Sequence, residues 1–404
     1  MLEKWQPCEY KLLCRACDSV VDEKISHARC LDCEGPLDVE YNVDALKKKG
    51  EFPYFFPLKN EDVAVSLQEG ETKLYDANRI ASRFGLKHLF VKNEATNPTG
   101  VFKDRGSFVE ISKARELGAK ALIVASSGNM AASCSAYAAK AGIPIYILVP
   151  EHVPIGKLAQ MLSYGAHVIK IHGTYDDCLN LVHQLAPQFD LYLVGDYVFR
   201  REGQKSLAYE LVEQFEGKVP DVVICPTGAG THVSALWRGF QEYKAIGITD
   251  SLPRMVLVQP EHSSVLVDAF EKGEIEFTSK KSSGTVCTAV EVDNPNDGTF
   301  ALEAIYDSDG TAVKVSDEAA LDAQQMLARD EGLFIEHSSA LSIAAIPQLL
   351  NKKIIQQDDR IVSVGTGNGL KDPLVPLHHM PKPPDFKPDL SRVSEHLGAL
   401  ISQE

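Results

Sequence analysis

Short apolar runs alternate with amphipathic stretches from about residue 86 onward. The runs Leu89–Val91, Ala121–Ala125, Ile145–Val149, Val168–Ile171, Leu191–Val194, Val222–Cys225, Met255–Gln259 and Ile361–Val364 predict strands. Between several of them the period changes, and helices are predicted over Ser107–Leu117, Met130–Ala141, Gly156–Tyr164, Tyr175–Ala186, Glu202–Phe215, His232–Tyr243 and Asp317–Glu331. Such alternation specifies an α/β fold with mostly parallel sheets, because parallel neighbours need a crossover between them. Ligands in these sheets bind at the carboxyl ends of strands. The two ends of the chain lack the pattern. A linker rich in Pro, Phe and Lys spans 47–60, and a proline-rich, then polar tail at 381–404 reads as an extended arm ending in a short helix, with no chemistry.

Composition narrows the class. With 404 residues the chain has room for two to three domains. Its 44% hydrophobic and 24% charged content are ordinary for a globular protein. A net charge of −15 argues against nucleic acid or an anionic membrane surface as partner, and any anionic substrate needs local basic residues. No apolar run reaches membrane-spanning length, and MLEKWQPCEYKLLC lacks the apolar core of a signal peptide. The expectation is a cytoplasmic, reducing compartment, where nine cysteines serve as metal ligands or buried thiols rather than disulfides.

Four of those cysteines are paired. Cys14-x2-Cys17 and Cys30-x2-Cys33 are knuckles separated by twelve residues. That spacing fits a small zinc ribbon, here 8–40, with four thiolates around one Zn²⁺ and no open position for catalysis. The alternative is four unligated thiols packed under the main body.

Three glycine-bearing turns follow predicted strands, and a fourth precedes a helix. Asn97-Pro98-Thr99-Gly100-Val101-Phe102-Lys103-Asp104-Arg105-Gly106 delivers Lys103 to a helix start beside an aromatic ring, where it can form a Schiff base with an aldehyde cofactor. Ser126-Ser127-Gly128-Asn129 offers small residues and free N–H groups. Pro226-Thr227-Gly228-Ala229-Gly230-Thr231-His232 is a phosphate nest or a tight structural turn, and its place between strand and helix favours phosphate. Val364-Gly365-Thr366-Gly367-Asn368-Gly369-Leu370-Lys371-Asp372-Pro373 ends the last predicted strand.

Together these stretches resemble the fold-type-II enzymes that use pyridoxal phosphate, and within them the threonine synthase family. The likeness spans roughly residues 66–373. It implies two α/β lobes in a core over 60–380, the smaller lobe at about 105–195. It implies Lys103 as the cofactor-bearing catalytic residue, with Phe102 beside it and Asn129 on the cofactor ring hydroxyl. Thr227, Gly228, Ala229, Gly230 and Thr231 would hold the cofactor phosphate, and Thr366 would meet the pyridine nitrogen. Ser126, Ser127 and Gly128 would bind the substrate carboxylate, with Lys92, Arg105, Arg200, Lys205 and Lys371 as candidate anchors for a substrate phosphate. The reaction implied turns O-phosphohomoserine and water into threonine and phosphate in a homodimer. Alternatives are β-replacement or deamination of phosphoserine, serine or threonine, or a non-catalytic regulator built on an inherited core. Departures from the family pattern are Lys73, Val101, Met130, Tyr197-Val198, His337 and Asn368, several of them expected on the substrate side.

Overall fold

The apolar runs assemble into two parallel sheets in the computed structural model, which describes residues 4–22, 29–47, 51–151, 153–195 and 197–402. The reach between the cysteine pairs (23–28), part of the linker (48–50) and the last two tail residues lie outside the described residues. The larger sheet has six strands in the order Thr311–Val315, Arg254–Pro260, Val222–Pro226, Arg360–Gly365, His88–Asn93 and Leu74–Asp76. All its neighbours are parallel except the last pair. Val222–Pro226 is buried at every position, the unbroken apolar run that a strand covered on both faces requires. The smaller sheet is wholly parallel, in the order His167–Ile171, Ile145–Pro150, Leu122–Ala125 and Tyr192–Leu193.

Register decides where the loops emerge. Gly365 pairs with Asn93, and Ser363 with Ile224. The segments after these three parallel strands therefore leave one edge of the larger sheet together, and those are 94–103, 227–231 and 366–371. The turn 126–129 leaves the smaller sheet after Leu122–Ala125.

The cysteine segment forms its own antiparallel sheet of Val20–Val21, Tyr10–Cys14 and Leu37–Tyr41. Residues up to Asp372 make one compact unit, and Pro373–Glu404 make another. The second unit holds helix Leu374–His379 and helix Leu390–Ile401, whose start is capped by the Asp389 carboxylate accepting from the Ser391 and Arg392 N–H groups. No helix among the described residues is long and apolar enough to cross a membrane.

Two helices differ from the pattern reading. One begins at Lys103 rather than Ser107. The helix expected over Glu202–Phe215 is two, Val198–Gln204 and Ser206–Gln214. At the join the Ser206 hydroxyl donates to the Gly203 carbonyl at 2.8 Å, competing with the helical ladder. The sequence reading also passed over strands Leu74–Asp76 and Thr311–Val315.

Candidate active site

Lys103 is the first residue of helix Lys103–Glu116, and the turn before it is held from several sides. Asn97 accepts from the Gly70 N–H at 2.9 Å and donates to Glu94 Oε2 at 2.8 Å. The Thr99 N–H and hydroxyl donate to the Asp104 carboxylate at 2.7 and 2.6 Å. Burial raises the Asp104 carboxyl to about 6 despite these donors and the Ser133 hydroxyl. Gly100 turns the chain with φ of 82°, a conformation that favours glycine. The Phe102 N–H donates to the Thr366 carbonyl at 3.0 Å, tying the lysine turn to the 366–371 loop.

The Lys103 ammonium lies 5.1 Å from the Phe102 ring centroid. That ring in turn lies 4.0 Å from the His232 ring. His232 is buried, and burial together with the nearby charges of Lys103 and Arg105 keeps its imidazole neutral, well below its usual range. Neither His232 nitrogen has a hydrogen-bond partner in the protein, nor does the buried Thr231 hydroxyl. These two residues open helix Thr231–Ala245, whose N-cap Gly230 has φ of 91°. A Cβ on Gly230 would meet the Asp297 carbonyl at 2.6 Å, so this turn admits only glycine. Thr227 shapes the loop rather than lining it. Its N–H donates to Val258 at 2.8 Å and its hydroxyl to the Cys225 carbonyl at 3.0 Å.

Across from the lysine, Asn129 begins helix Asn129–Ala141. Its Nδ2 donates to Glu336 Oε2 at 2.8 Å, while its Oδ1 is buried without a partner. Glu336 Oε1 lies 3.3 Å from Lys157 Nζ. A Cβ on Gly128 would meet nothing within 4 Å, so the turn borders open space. The Ser126 hydroxyl accepts from the Gly128 N–H at 3.3 Å, and Ser127 beside it is half-buried. Thr366 pairs with Ser339 at 2.7 Å, and Ser339 Oγ accepts from the Gly367 N–H at 3.0 Å. Either hydroxyl can donate in this pair, and when Ser339 donates, the Thr366 hydroxyl keeps its own proton to give.

Four expected phosphate anchors are committed elsewhere, which corrects the sequence reading. Lys92 is fully buried and donates to Glu210 at 2.5 Å and to Gln214 at 2.9 Å. Arg105 is clamped between Glu94 at 2.7 Å and Glu210 at 2.8 Å. Burial pushes the Glu210 carboxyl up, but Arg105 and Lys92 outweigh it and hold it at about 2. Arg200 pairs with Glu110, and Lys205 with Glu202 at 2.6 Å and Glu242 at 2.9 Å. Each cation meets a carboxylate from a distant part of the chain or the next helical turn, so none presents its charge to an opening. Lys371 donates to the Thr99 carbonyl at 3.0 Å and to Gln160, and burial lowers its ammonium to about 8.

The family departures also find places. The Met130 side chain is buried in the main core. The Tyr197 ring fills the space above Gly195, where a Cβ would meet it at 2.8 Å. His337 donates from Nε2 to the Val286 carbonyl at 2.5 Å. Asn368 caps the next turn by accepting from the Leu370 N–H at 2.9 Å. Glu336, His232 and Ser339 were not singled out from sequence, although His232 closes a quoted motif and the other two lie within two residues of His337.

The four paired cysteines converge. Their sulfurs all lie within 4.8 Å of one another, with Cys14–Cys33 at 3.4 Å and Cys17–Cys30 at 3.8 Å. Thiolates tetrahedral about zinc sit about 3.8 Å apart for Zn–S bonds of about 2.3 Å, so the cluster fits that ion. A Cβ on Gly35 would meet Cys14 Sγ at 2.8 Å, so glycine is needed where the chain passes the thiols. Cys8, outside the two knuckles, is buried and donates to the Phe56 carbonyl at 3.0 Å.

Two mostly parallel sheets, a lysine at a helix start and a glycine turn opening a helix fit one class of cofactor enzyme. Residues 65–367 match the family model described as pyridoxal-phosphate dependent enzyme, and the chain belongs to that family. A threonine synthase of Methanocaldococcus jannaschii is 41% identical over 384 residues, covering 91% of this chain and 95% of the relative. One of Methanosarcina acetivorans is 42% identical over 375 residues, covering 90% and 93%. Within its class the chain is a member of the threonine synthase family. The fold is shared more widely. A processed threonine deaminase from Solanum lycopersicum superposes with a TM-score of 0.66 at 21% identity, over 79% of this chain and 88% of that one. The diaminopropionate ammonia lyase of Escherichia coli gives 0.66 at 16%, over 90% and 95%.

Proposed function

We propose that this chain converts O-phosphohomoserine and water to threonine and phosphate, with Lys103 as the catalytic residue. The observation that carries the reading is that two turns at strand ends leave buried polar atoms without a protein partner: Asn129 Oδ1, the Thr231 hydroxyl and both nitrogens of His232, whose ring lies 4.0 Å from that of Phe102. A buried polar group without a partner costs about 1–3 kcal/mol, so a set of them marks where a polar ligand belongs. Pyridoxal phosphate supplies, when bound, an electron sink for negative charge at the substrate α-carbon. The chain supplies the rest. Lys103 would hold the cofactor and would move protons at the substrate Cα and Cβ. The N–H groups of Gly228 through Thr231, at a helix N-terminus, receive the cofactor phosphate. Asn129 keeps its Nδ2 on Glu336 and accepts from the ring hydroxyl through Oδ1. Thr366 donates to the pyridine nitrogen as a neutral hydroxyl, which favours elimination over transamination. Ser126, Ser127 and Gly128 receive the substrate carboxylate. The same reading carries a homodimer in the cytoplasm acting on a small amino acid, and the acidic composition supports the lack of a nucleic-acid partner.

One observation favours a second reading. Lys92, Arg105, Arg200 and Lys205 are all neutralised by carboxylates, which leaves a distal phosphate poorly served. Deamination of serine or threonine asks nothing of those cations. A panel of O-phosphohomoserine, O-phosphoserine, serine and threonine, assayed for phosphate and ammonia, decides between them. Phosphate release confined to O-phosphohomoserine is expected. Ammonia from serine or threonine with no phosphate release from O-phosphohomoserine would reject the first reading.

A further inference from the structure

The cysteine ribbon is bound to the catalytic body through the loop that opens helix Thr231–Ala245. Its last strand, Leu37–Tyr41, starts two residues after Gly35, which packs on the thiols. Arg201 Nη2 donates to the Leu37 carbonyl at 2.9 Å and to Asp38 Oδ1 at 2.9 Å. Arg201 Nη1 lies 3.3 Å from Asp297 Oδ1. The Asp297 N–H donates to the Ala229 carbonyl at 2.9 Å, and its own carbonyl occupies the space beside Gly230. Asp38 also pairs with Arg238, which lies on helix Thr231–Ala245 and is held by Glu202 and Glu242 at 3.0 Å each. Arg201 and Asp297 are both buried. A chain of directed contacts thus runs from the thiols, past Gly35, to the backbone of the glycine loop.

We propose that Arg201 and Asp297 are positioning residues for the cofactor phosphate, and that a metal ion on Cys14, Cys17, Cys30 and Cys33 tightens the loop's hold on that phosphate through Asp38. The inference rests on the reading that residues 228–231 receive the phosphate. The physical reason is that the metal fixes the knuckles, which fixes Leu37 and Asp38. These orient Arg201, and Arg201 keeps Asp297 pressed against Ala229 and Gly230. Coupling of this kind is reciprocal, so cofactor binding also raises metal affinity.

The test is the dissociation constant of pyridoxal phosphate for the full-length apo-protein, followed by absorbance, with zinc loaded and after a chelator. Coupled sites shift each other's affinity by about 5- to 150-fold, and chelation is expected to weaken cofactor binding of the unaltered protein by an amount in that range. Arg201→Ala is expected to bind the cofactor weakly with or without zinc, and Arg201→Lys to regain part of both affinity and zinc response. Asp297→Asn, which keeps the N–H to Ala229, tests the same link should Arg201→Ala fail to fold by circular dichroism. An unchanged dissociation constant after chelation overturns the proposal. So does an equal response to chelation in Arg201→Lys, Asp297→Asn and the unaltered protein. Pyridoxal, which lacks the phosphate, separates this failure from failure of the underlying reading. Equal affinity of the unaltered protein for pyridoxal and pyridoxal phosphate would reject the loop as the phosphate site.

Discussion

Lys103 and Lys92 are eleven residues apart, and the fold gives them opposite surroundings. Lys103 is half-buried beside Phe102, whose ring meets a His232 ring with no protein partner for its nitrogens, whereas Lys92 is fully buried and saturated by Glu210, Gln214 and the Thr72 carbonyl. Arg105, two residues beyond Lys103, belongs with Lys92. The contrast shows that nearness to a motif does not make a cation available. What counts is whether a carboxylate lies opposite. Breaking a buried ion pair by removing one partner leaves an unpaired buried charge, so these cations are poor candidates for exchange with a ligand.

The contrast can be broken by substitution at each end. Lys103→Ala is expected to lower turnover about 10²- to 10⁴-fold or more, the range for loss of a positioned acid–base group, while leaving thermal unfolding nearly unchanged. Loss of the cofactor absorbance that borohydride fixes onto the chain is the accompanying check, and a retained adduct would place the cofactor on another lysine. Arg105→Ala is expected to do the reverse. It strands Glu94 and leaves Glu210 with Lys92 as its one cation among the described residues, and destabilisation of about 3–5 kcal/mol should appear in denaturant titration. A stable Arg105→Ala protein that fails only in substrate affinity would return Arg105 to the list of anchors.

Smaller effects sharpen the boundary between the regions. Gly230→Ala should cost about 1–3 kcal/mol of strain at φ of 91°, read as weaker pyridoxal phosphate affinity without a matching loss for pyridoxal. The smallest effect concerns Lys371. Burial lowers its ammonium from 10.5 to about 8, so between those values the unfolded chain binds more protons than the folded one. Stability should therefore rise with pH from about 8 towards 10.5, and Lys371→Met should flatten that rise in urea titrations at stepped pH. An unchanged slope would assign it to other groups.

Much of the site was legible in local sequence because its chemistry is local. The turn Asn97–Gly100 needs its own residue types to present Lys103. Gly230 needs a positive φ, and Thr366 follows a strand whose end the apolar run marks. The cysteine spacing likewise determines a cluster, since two-residue gaps bring thiols together within each knuckle and the strand Leu37–Tyr41 then closes the sheet. Glu336 was illegible as a partner of Asn129, since 207 residues separate them and only tertiary packing makes the contact.

The sequence by itself determined the class of fold, the turns that precede Lys103 and open helix Thr231–Ala245, and the knuckle spacing of the four thiols, because each depends on backbone conformation or spacing within about a dozen residues. Only the tertiary structure decided which cations were spoken for. Glu210 reaches Lys92 across 118 positions, Glu110 reaches Arg200 across 90, and Asp38 reaches Arg201 across 163. Charge pairing depends on distance in space and on the water excluded between the partners, and a pattern along the chain records neither.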